Sequence, residues 1–205
     1  HFPFCKVKCM YCDFYSIPKR EDEIPKFVAS LVKEISLYAD NHNIDWKFDT
    51  IFFGGGTPSL FTTKGLELIL ETLDTKFNLS NIKEITLEAN PGEAPYEKLI
   101  AFRKLGVNRL SMGFQSFDAN LLTFLGRIHS PEDCIDTFKN ARKAGFDNIN
   151  ADLIFDIPGQ SLHQWKKDLK TLVDLDPEHI SAYSLTVEEN TTLFGLVKSG
   201  KVKMP

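Results

Sequence analysis

The chain has 205 residues, 42% of them hydrophobic and 25% charged, with a formal net charge of -4 and a pI near 5.8. That length carries one sizeable core, and the acidic balance argues against a nucleic-acid-binding surface, which needs clustered Lys and Arg to displace counterions. No apolar run approaches the roughly 18 residues of a bilayer span and no signal peptide opens the chain, so a soluble, cytoplasmic protein is expected, with peripheral membrane contact left open.

A short apolar strand, His1 to Phe4, runs into Cys5, Cys9 and Cys12 in a C-x3-C-x2-C spacing. Three thiolates within eight residues wrap one small metal centre, and three ligands on a cubane cluster leave one iron open to a small molecule. A zinc site with His1 as fourth ligand satisfies the same count. The fourth cysteine, Cys134, is remote and shares a helical face with Phe138 and Ala141, which reads as packing. This usage is not the disulfide framework of a small secreted domain and fits a reducing compartment.

Ile24, Phe27, Val28, Leu31, Val32, Ile35 and Tyr38 follow the three-four spacing of an amphipathic helix. The strand Thr50 to Phe53 then breaks at Gly54-Gly55-Gly56-Thr57-Pro58, where three glycines imply close approach of main chain to a ligand, or simply a turn. No Lys-Ser or Lys-Thr follows, so this is not a P-loop. A helix over Lys64 to Lys76, a strand over Glu84 to Glu88 and a helix over Tyr96 to Lys104 come next, then a strand over Arg109 to Gly113. Ser130-Pro131-Glu132-Asp133 opens a helix to Ala144 that stops at Gly145, and a strand covers Ile149 to Phe155. Ser161 to Gln164 forms a capping box for a helix to about Val173, and His179 to Leu185 is the last strand, before a helical-looking Leu193 to Val197. The lack of an initiating Met and the stop at Pro205 suggest a piece of a longer protein.

About six strand-helix steps mean parallel strands joined by right-handed crossovers. An open doubly wound sheet and a barrel both satisfy that pattern, but every unusual cluster follows a strand, and in a barrel those ends converge on one face. The expectation is an α/β partial barrel of six units with its site at the C-terminal strand ends. Glu88 is either a solvated acid or a site carboxylate. Asp152 lies among apolar residues, where a carboxylate needs a cation or several hydrogen bonds. Gln115 and Arg127 are ambiguous one at a time, and His129 and His179 read as local hydrogen-bonding groups.

Together these residues resemble the radical S-adenosylmethionine superfamily, whose motif Cys5, Cys9 and Cys12 match with Tyr11 before the third cysteine. More narrowly, His1-Phe-Pro-Phe-Cys, Phe53-Gly-Gly-Gly-Thr-Pro-Ser-Leu-Phe61, Leu110-Ser-Met-Gly-Phe-Gln-Ser-Phe117, Gly126-Arg-Ile-His-Ser130 and Asp152-Leu-Ile-Phe-Asp-Ile-Pro-Gly-Gln160 resemble the oxygen-independent coproporphyrinogen III oxidase-like proteins. Phe14 stands where the oxidases usually have a further cysteine, as in the haem chaperone branch. Asp156 departs from the Gly-Leu usual before Pro-Gly-Gln, and a small change in that loop is expected.

The resemblance implies a [4Fe-4S] cluster on Cys5, Cys9 and Cys12, with S-adenosylmethionine on its open iron. Tyr11 would pack near the adenine and Gly55, Gly56 and Thr57 would meet the methionine end, while Glu88, Gln115, Arg127 and Asp152 match further contact positions. It also implies haem binding and transfer to client proteins, or else radical decarboxylation of coproporphyrinogen III, with an electron donor and no nucleic-acid partner. Residues 1–205 would be the radical core domain, with upstream strand residues and a C-terminal domain lying outside it.

Overall fold

The computed structural model describes residues 1–42 and 46–204. Strands β1 (Phe4–Cys5) and β2 (Ile17–Pro18) lead to helix α1 (Ile24–Asn41), which a proline in its first turn and the preceding Glu21–Glu23 turn help to start. Then follow β3 (Thr50–Phe53), α2 (Thr63–Phe77), β4 (Glu84–Ala89), α3 (Tyr96–Lys104), β5 (Arg109–Gln115), α4 (Ala119–Leu125), α5 (Pro131–Lys143), β6 (Ile149–Phe155), α6 (Leu162–Asp174), β7 (His179–Ser184) and α7 (Thr192–Lys198). Both expected capping boxes form. Ser130 Oγ accepts from the Asp133 N–H while the Ser130 N–H donates to Asp133, and Ser161 and Gln164 repeat the exchange at α6.

Strands β3 to β7 form one parallel sheet in the order of the chain. A doubly wound sheet reverses its order at a switch point, and this one does not. Right-handed crossovers taken always in the same direction keep every helix on one face. The helices pack in step with the strands, α1 on α2, α2 on α3 and α3 on α5. The result is the wall of a partial barrel.

The first strand joins that wall without a full ladder. Phe2 N–H donates to Gly54 O at 2.8 Å, Gly56 N–H to Phe2 O at 2.6 Å and Thr57 N–H to Phe4 O at 2.8 Å, which sets Phe2 to Cys5 beside the C-terminal end of β3. Counting it gives six strand-helix steps.

Side chains on the sheet obey period two. Ile85, Leu87, Ala89, Leu110, Met112, Phe114, Ile149, Ala151 and Leu153 lie with the helix residues Val28, Leu66, Ile69, Leu99, Phe102, Phe138 and Leu172 in one apolar core. The alternate positions carry Glu84, Thr86, Glu88, Arg109, Ser111, Gly113, Asn150, Asp152, His179, Ser181 and Tyr183. Apart from Phe52 and Ile154, this second face is polar, and its polar groups bond to one another. Asn150, 2% exposed, donates to Ser111 Oγ at 2.8 Å and to Asp152 Oδ1 at 2.7 Å, and its Oδ1 accepts from Ser181 Oγ at 3.0 Å and meets the His179 ring. All four hydrogen-bonding positions of that amide are used.

Besides the two-residue β2, helix α4 is the element that the sequence reading leaves out. Its signals are present, since Asp118 accepts from the N–H groups of Asn120 and Leu121 and Gly126 ends the helix at φ +75°. Seven residues between two motif residues, Gln115 and Arg127, are short enough to pass for loop.

Candidate functional site

The glycine run is explained by the strand beside it. A Cβ on Gly56 would stand 2.5 Å from Phe4 O, and one on Gly55 would stand 2.6 Å from the His1 ring and 2.8 Å from Phe2 O. Gly55 also has φ +122°, a conformation that belongs to glycine. A Cβ on the third, Gly54, would stand 2.5 Å from the Phe52 ring and 3.0 Å from Glu88 Oε2. Sequence reasoning offers ligand approach or a plain turn for these glycines, and their close neighbours within the chain are its own first strand and Glu88. That seam delivers Cys5 to Thr57, whose hydroxyl donates to Cys5 Sγ at 3.5 Å.

The cysteine loop is pinned at several points. Cys12 N–H closes a turn onto Cys9 O at 3.2 Å, Met10 N–H bonds Leu125 O at 3.2 Å, and Leu193 N–H bonds Met10 O at 2.8 Å. Lys19 N–H returns to Cys5 O at 3.1 Å. Burial pushes the Cys5 and Cys12 thiols above the ordinary range, opposed at Cys5 by the Thr57 hydroxyl. Among the described residues no three Cys, His, Asp or Glu side chains close on a single ion-sized point. The thiols line one loop with space between them. Cys134 is fully buried on α5, and burial holds its thiol well above the usual value, as a packing cysteine requires.

A hydrogen-bond chain joins two of the cysteines across the strand ends. Thr57 Oγ1 donates to Cys5 Sγ and accepts from Asn90 Nδ2 at 3.0 Å. The Asn90 Oδ1 accepts from Arg127 Nη2 at 2.6 Å, and Arg127 Nη1 donates to Cys9 Sγ at 3.5 Å. Arg127 Nη2 also reaches Gly113 O at 2.7 Å. Burial works against the guanidinium charge, but Tyr11 and Cys9 beside it keep its pKa above the usual value. A Cβ on Gly113 would meet Gln115 Nε2 at 3.0 Å, Arg127 Nη2 at 3.2 Å and Asn90 Oδ1 at 3.3 Å, so three polar groups converge over a residue with no side chain.

The remaining predicted residues stand around the same strand ends. Glu88 Oε2 accepts from Gly55 N–H at 3.0 Å, and burial raises its pKa above the carboxylate range, with Asp152 adding to the effect. Burial likewise raises Asp152, to which Asn150 Nδ2 donates at 2.7 Å while Arg127 and Arg109 act only at a distance. Of the two ways to keep that carboxylate in an apolar strand, the structure uses a hydrogen bond rather than a paired cation. Gln115 sits at a break in the β5–β6 register with φ +69°, and its Oε1 accepts from Tyr183 Oη at 3.2 Å. The Tyr183 phenol is pushed up to about 12 by burial and by Asp152, and burial drives Tyr11 upward too.

Sequence reasoning missed Asn90, Glu93 and Tyr183. Asn90 was legible only as a turn before proline, whereas it bridges Thr57, Arg127 and the buried Glu93, whose Oε2 accepts from Asn90 Nδ2 at 3.0 Å. For Tyr183 the signal was its phase on β7, which it shares with His179 and Ser181. The histidines behave as expected, His129 Nε2 meeting Phe114 O at 3.1 Å and His179 meeting Asn150. Asp156 adopts φ +59°, the backbone that glycine takes without strain, and Ser184 Oγ donates to its Oδ2 at 2.9 Å. Phe14 and Tyr15 point outward from the cysteine loop, 69% and 75% exposed.

The family model of the Radical SAM superfamily matches residues 1–172. The chain belongs to the radical SAM superfamily. A [4Fe-4S] cluster and S-adenosylmethionine are the general cofactors of such proteins, and a three-thiol loop with hydrogen-bond donors to two of the sulfurs suits a cluster with one open iron. Over 100% of its length the chain is 37% identical to heme chaperone HemW of Bacillus subtilis, covering 54% of that protein. It is 38% identical to radical S-adenosyl methionine domain-containing protein 1, mitochondrial, of Danio rerio, covering 46% of it, and 38% identical to HemW of Escherichia coli over 95% of this chain, covering 51%. The chain thus spans about half the length of these relatives. Among solved structures, coproporphyrinogen III oxidase (HemN) from Escherichia coli, a radical SAM enzyme, superposes on the whole chain with a TM-score of 0.86 at 27% identity, and the chain covers 47% of it. The same fold recurs at TM-score 0.63 and 22% identity in the archaeal Elp3 of Methanocaldococcus infernus, with 87% of this chain and 46% of that one covered.

Proposed function

We propose that this chain is the core of a radical SAM-type haem chaperone, in which Cys5, Cys9 and Cys12 hold a [4Fe-4S] cluster, S-adenosylmethionine occupies the strand ends, and haem passes to client proteins. The likeness to HemW along the chain supports the haem side of this reading. The hydrogen-bond chain from Cys5 through Thr57, Asn90 and Arg127 to Cys9 supports the cofactor side, and it is the observation that carries the site assignment. When bound, the cluster supplies an open iron and an electron.

The chain's own residues do the rest. Arg127 and Thr57 offset thiolate charge at Cys9 and Cys5, which favours deprotonated ligands. Glycines 55 and 56 keep the main chain free of side chains beside Thr57, where the methionine end of the ligand would lie. Glu88 and Asp152, both of raised pKa, and Gln115 present hydrogen-bonding groups for ammonium and ribose hydroxyls. Tyr11, packed with Met10 against Leu121, Leu125 and Ile154, offers an apolar ring for the adenine. A cytoplasmic location and an electron donor belong to this reading; among the described residues no helix is long and apolar enough to cross a membrane.

Oxygen-independent coproporphyrinogen III oxidase is the second reading, favoured by the superposition on HemN. Phe14 favours the chaperone, since a bare aromatic ring replaces a thiol there. The test uses the full-length protein, reconstituted without oxygen, with S-adenosylmethionine and a reductant, and offers haem and coproporphyrinogen III separately. Haem binding with the porphyrinogen unchanged is expected. Formation of protoporphyrinogen would overturn the chaperone assignment.

A further inference from the structure

Asp168 is 1% exposed on the core side of α6, among Trp165, Leu169 and Leu172, with no cation among its hydrogen-bond partners. A buried carboxylate with no paired cation is a costly choice for a helix face that any Leu would fill. Its two oxygens are used on one short segment. Ser116 Oγ donates to Oδ2 at 2.6 Å and Phe117 N–H donates to Oδ1 at 3.0 Å, directly after Gln115.

That segment needs holding. Gln115 has φ +69°, and Ser116 N–H bonds Phe114 O at 2.9 Å, so Gln115 is the centre of a γ-turn of the strained, positive-φ kind. The turn is what breaks the register of β5 and carries the Gln115 side chain to Tyr183 and over Gly113. Ser116 Oγ in turn accepts from Asp118 N–H at 3.0 Å, and Asp118 caps α4 and accepts from Gln164 Nε2 of α6 at 3.0 Å. Helix α4 leads through Gly126 to Arg127. One helix outside the barrel wall therefore grips the turn that aims Gln115 and the cap of the helix that delivers Arg127.

We propose that Asp168 is a positioning residue for the S-adenosylmethionine site, holding Gln115 in its strained turn through Ser116 and Phe117. This rests on the reading that Gln115 contacts the nucleoside cofactor. Asp168→Asn keeps the shape and the acceptor for Phe117 N–H but leaves the Ser116 hydroxyl proton without its acceptor. The test measures S-adenosylhomocysteine affinity by calorimetry on the full-length, cluster-reconstituted protein, at a temperature where circular dichroism shows every variant folded. Asp168→Asn should weaken binding about tenfold, the scale of one lost hydrogen bond to a charged group. Leu172→Ala, which opens a cavity in the same helix face, should lower the melting temperature and leave affinity unchanged. In a Gln115→Ala background, Asp168→Asn should add less than about twofold, because coupled residues are non-additive.

Additive losses in the double variant, equal weakening by Leu172→Ala, or unchanged affinity in Asp168→Asn while Gln115→Ala binds weakly would each overturn the positioning role. Unchanged affinity in Gln115→Ala alone would show that the site reading itself is at fault, and the inference would fall with it.

Discussion

Replacing Gly56 by alanine tests whether the first strand is what demands the glycines. Its backbone is not in the left-handed region, so the cost is contact alone. The new methyl would stand 2.5 Å from Phe4 O and 3.0 Å from Phe2 O, both main-chain atoms that no rotamer can move. Reaching an ordinary contact of 3.4 Å means parting the two segments by about 0.9 Å. The Gly56–Phe2 and Thr57–Phe4 hydrogen bonds, now 2.6 and 2.8 Å, then pass beyond useful length. Overpacking of about 1–3 kcal/mol and two hydrogen bonds at about 0.5–1.5 kcal/mol each give a loss of about 2–6 kcal/mol. Urea unfolding reads the loss, and amide exchange at Gly56 and Thr57 locates it. Gly145→Ala is the control, with φ +90° but nothing within 4 Å of the new Cβ, and should cost about 1 kcal/mol from backbone strain alone. Equal costs at the two positions, with the seam amides still protected, would refute the reasoning.

The pH dependence has a defined sign at His129. Burial, with Arg127 nearby, lowers its pKa from 6.5 to about 4, so as pH falls the unfolded chain takes the proton first and stability is lost between about 6.5 and 4. The loss reaches about 3 kcal/mol at the acid end. Glu88, Asp152 and Asp168, raised by burial, act in the opposite direction because the folded state holds their protons longer. The quantity to read is therefore the difference between the parent and His129→Gln in urea titrations from pH 4 to 7.5, and a pH-independent difference would sink the assignment. At the cysteines, Cys9→Ser should abolish iron-sulfur absorption after reconstitution, while Cys134→Ser should retain it and lose about 1–3 kcal/mol of stability from a buried hydroxyl. Purified protein holding one zinc and no sulfide would defeat the cluster reading.

Most strands and helices were legible because period and punctuation agree along the chain. Ile149 to Phe155 and the two capping boxes are cases where apolar runs, serine caps and glycine stops all point the same way. The choice of a barrel wall over an open sheet came from the position of the motifs, and the sequential strand order gives the physical ground for it. Asn90 and Asp168 were not legible. One read as a turn residue and the other drew no reading, because the partners of each, Arg127 and Ser116, lie 37 and 52 residues away. The glycine run was legible as a close approach but not as to what approaches, since a strand edge and a ligand impose the same demand on a Cβ.

The sheet that carries this site packs its main apolar core behind one face, and its other face satisfies hydrogen bonds of its own through Asn150, Ser111, Ser181 and Asp152. The polar stretch of that face keeps its form through bond directions, as a hydrogen-bonded lattice does, while a smaller apolar cluster around Ile154, Leu121 and Leu125 packs with Met10 and Tyr11 of the cysteine loop. Substitutions on the polar stretch therefore act without opening the main hydrophobic core, so the form of the site and the stability of the fold are set largely by separate groups of residues.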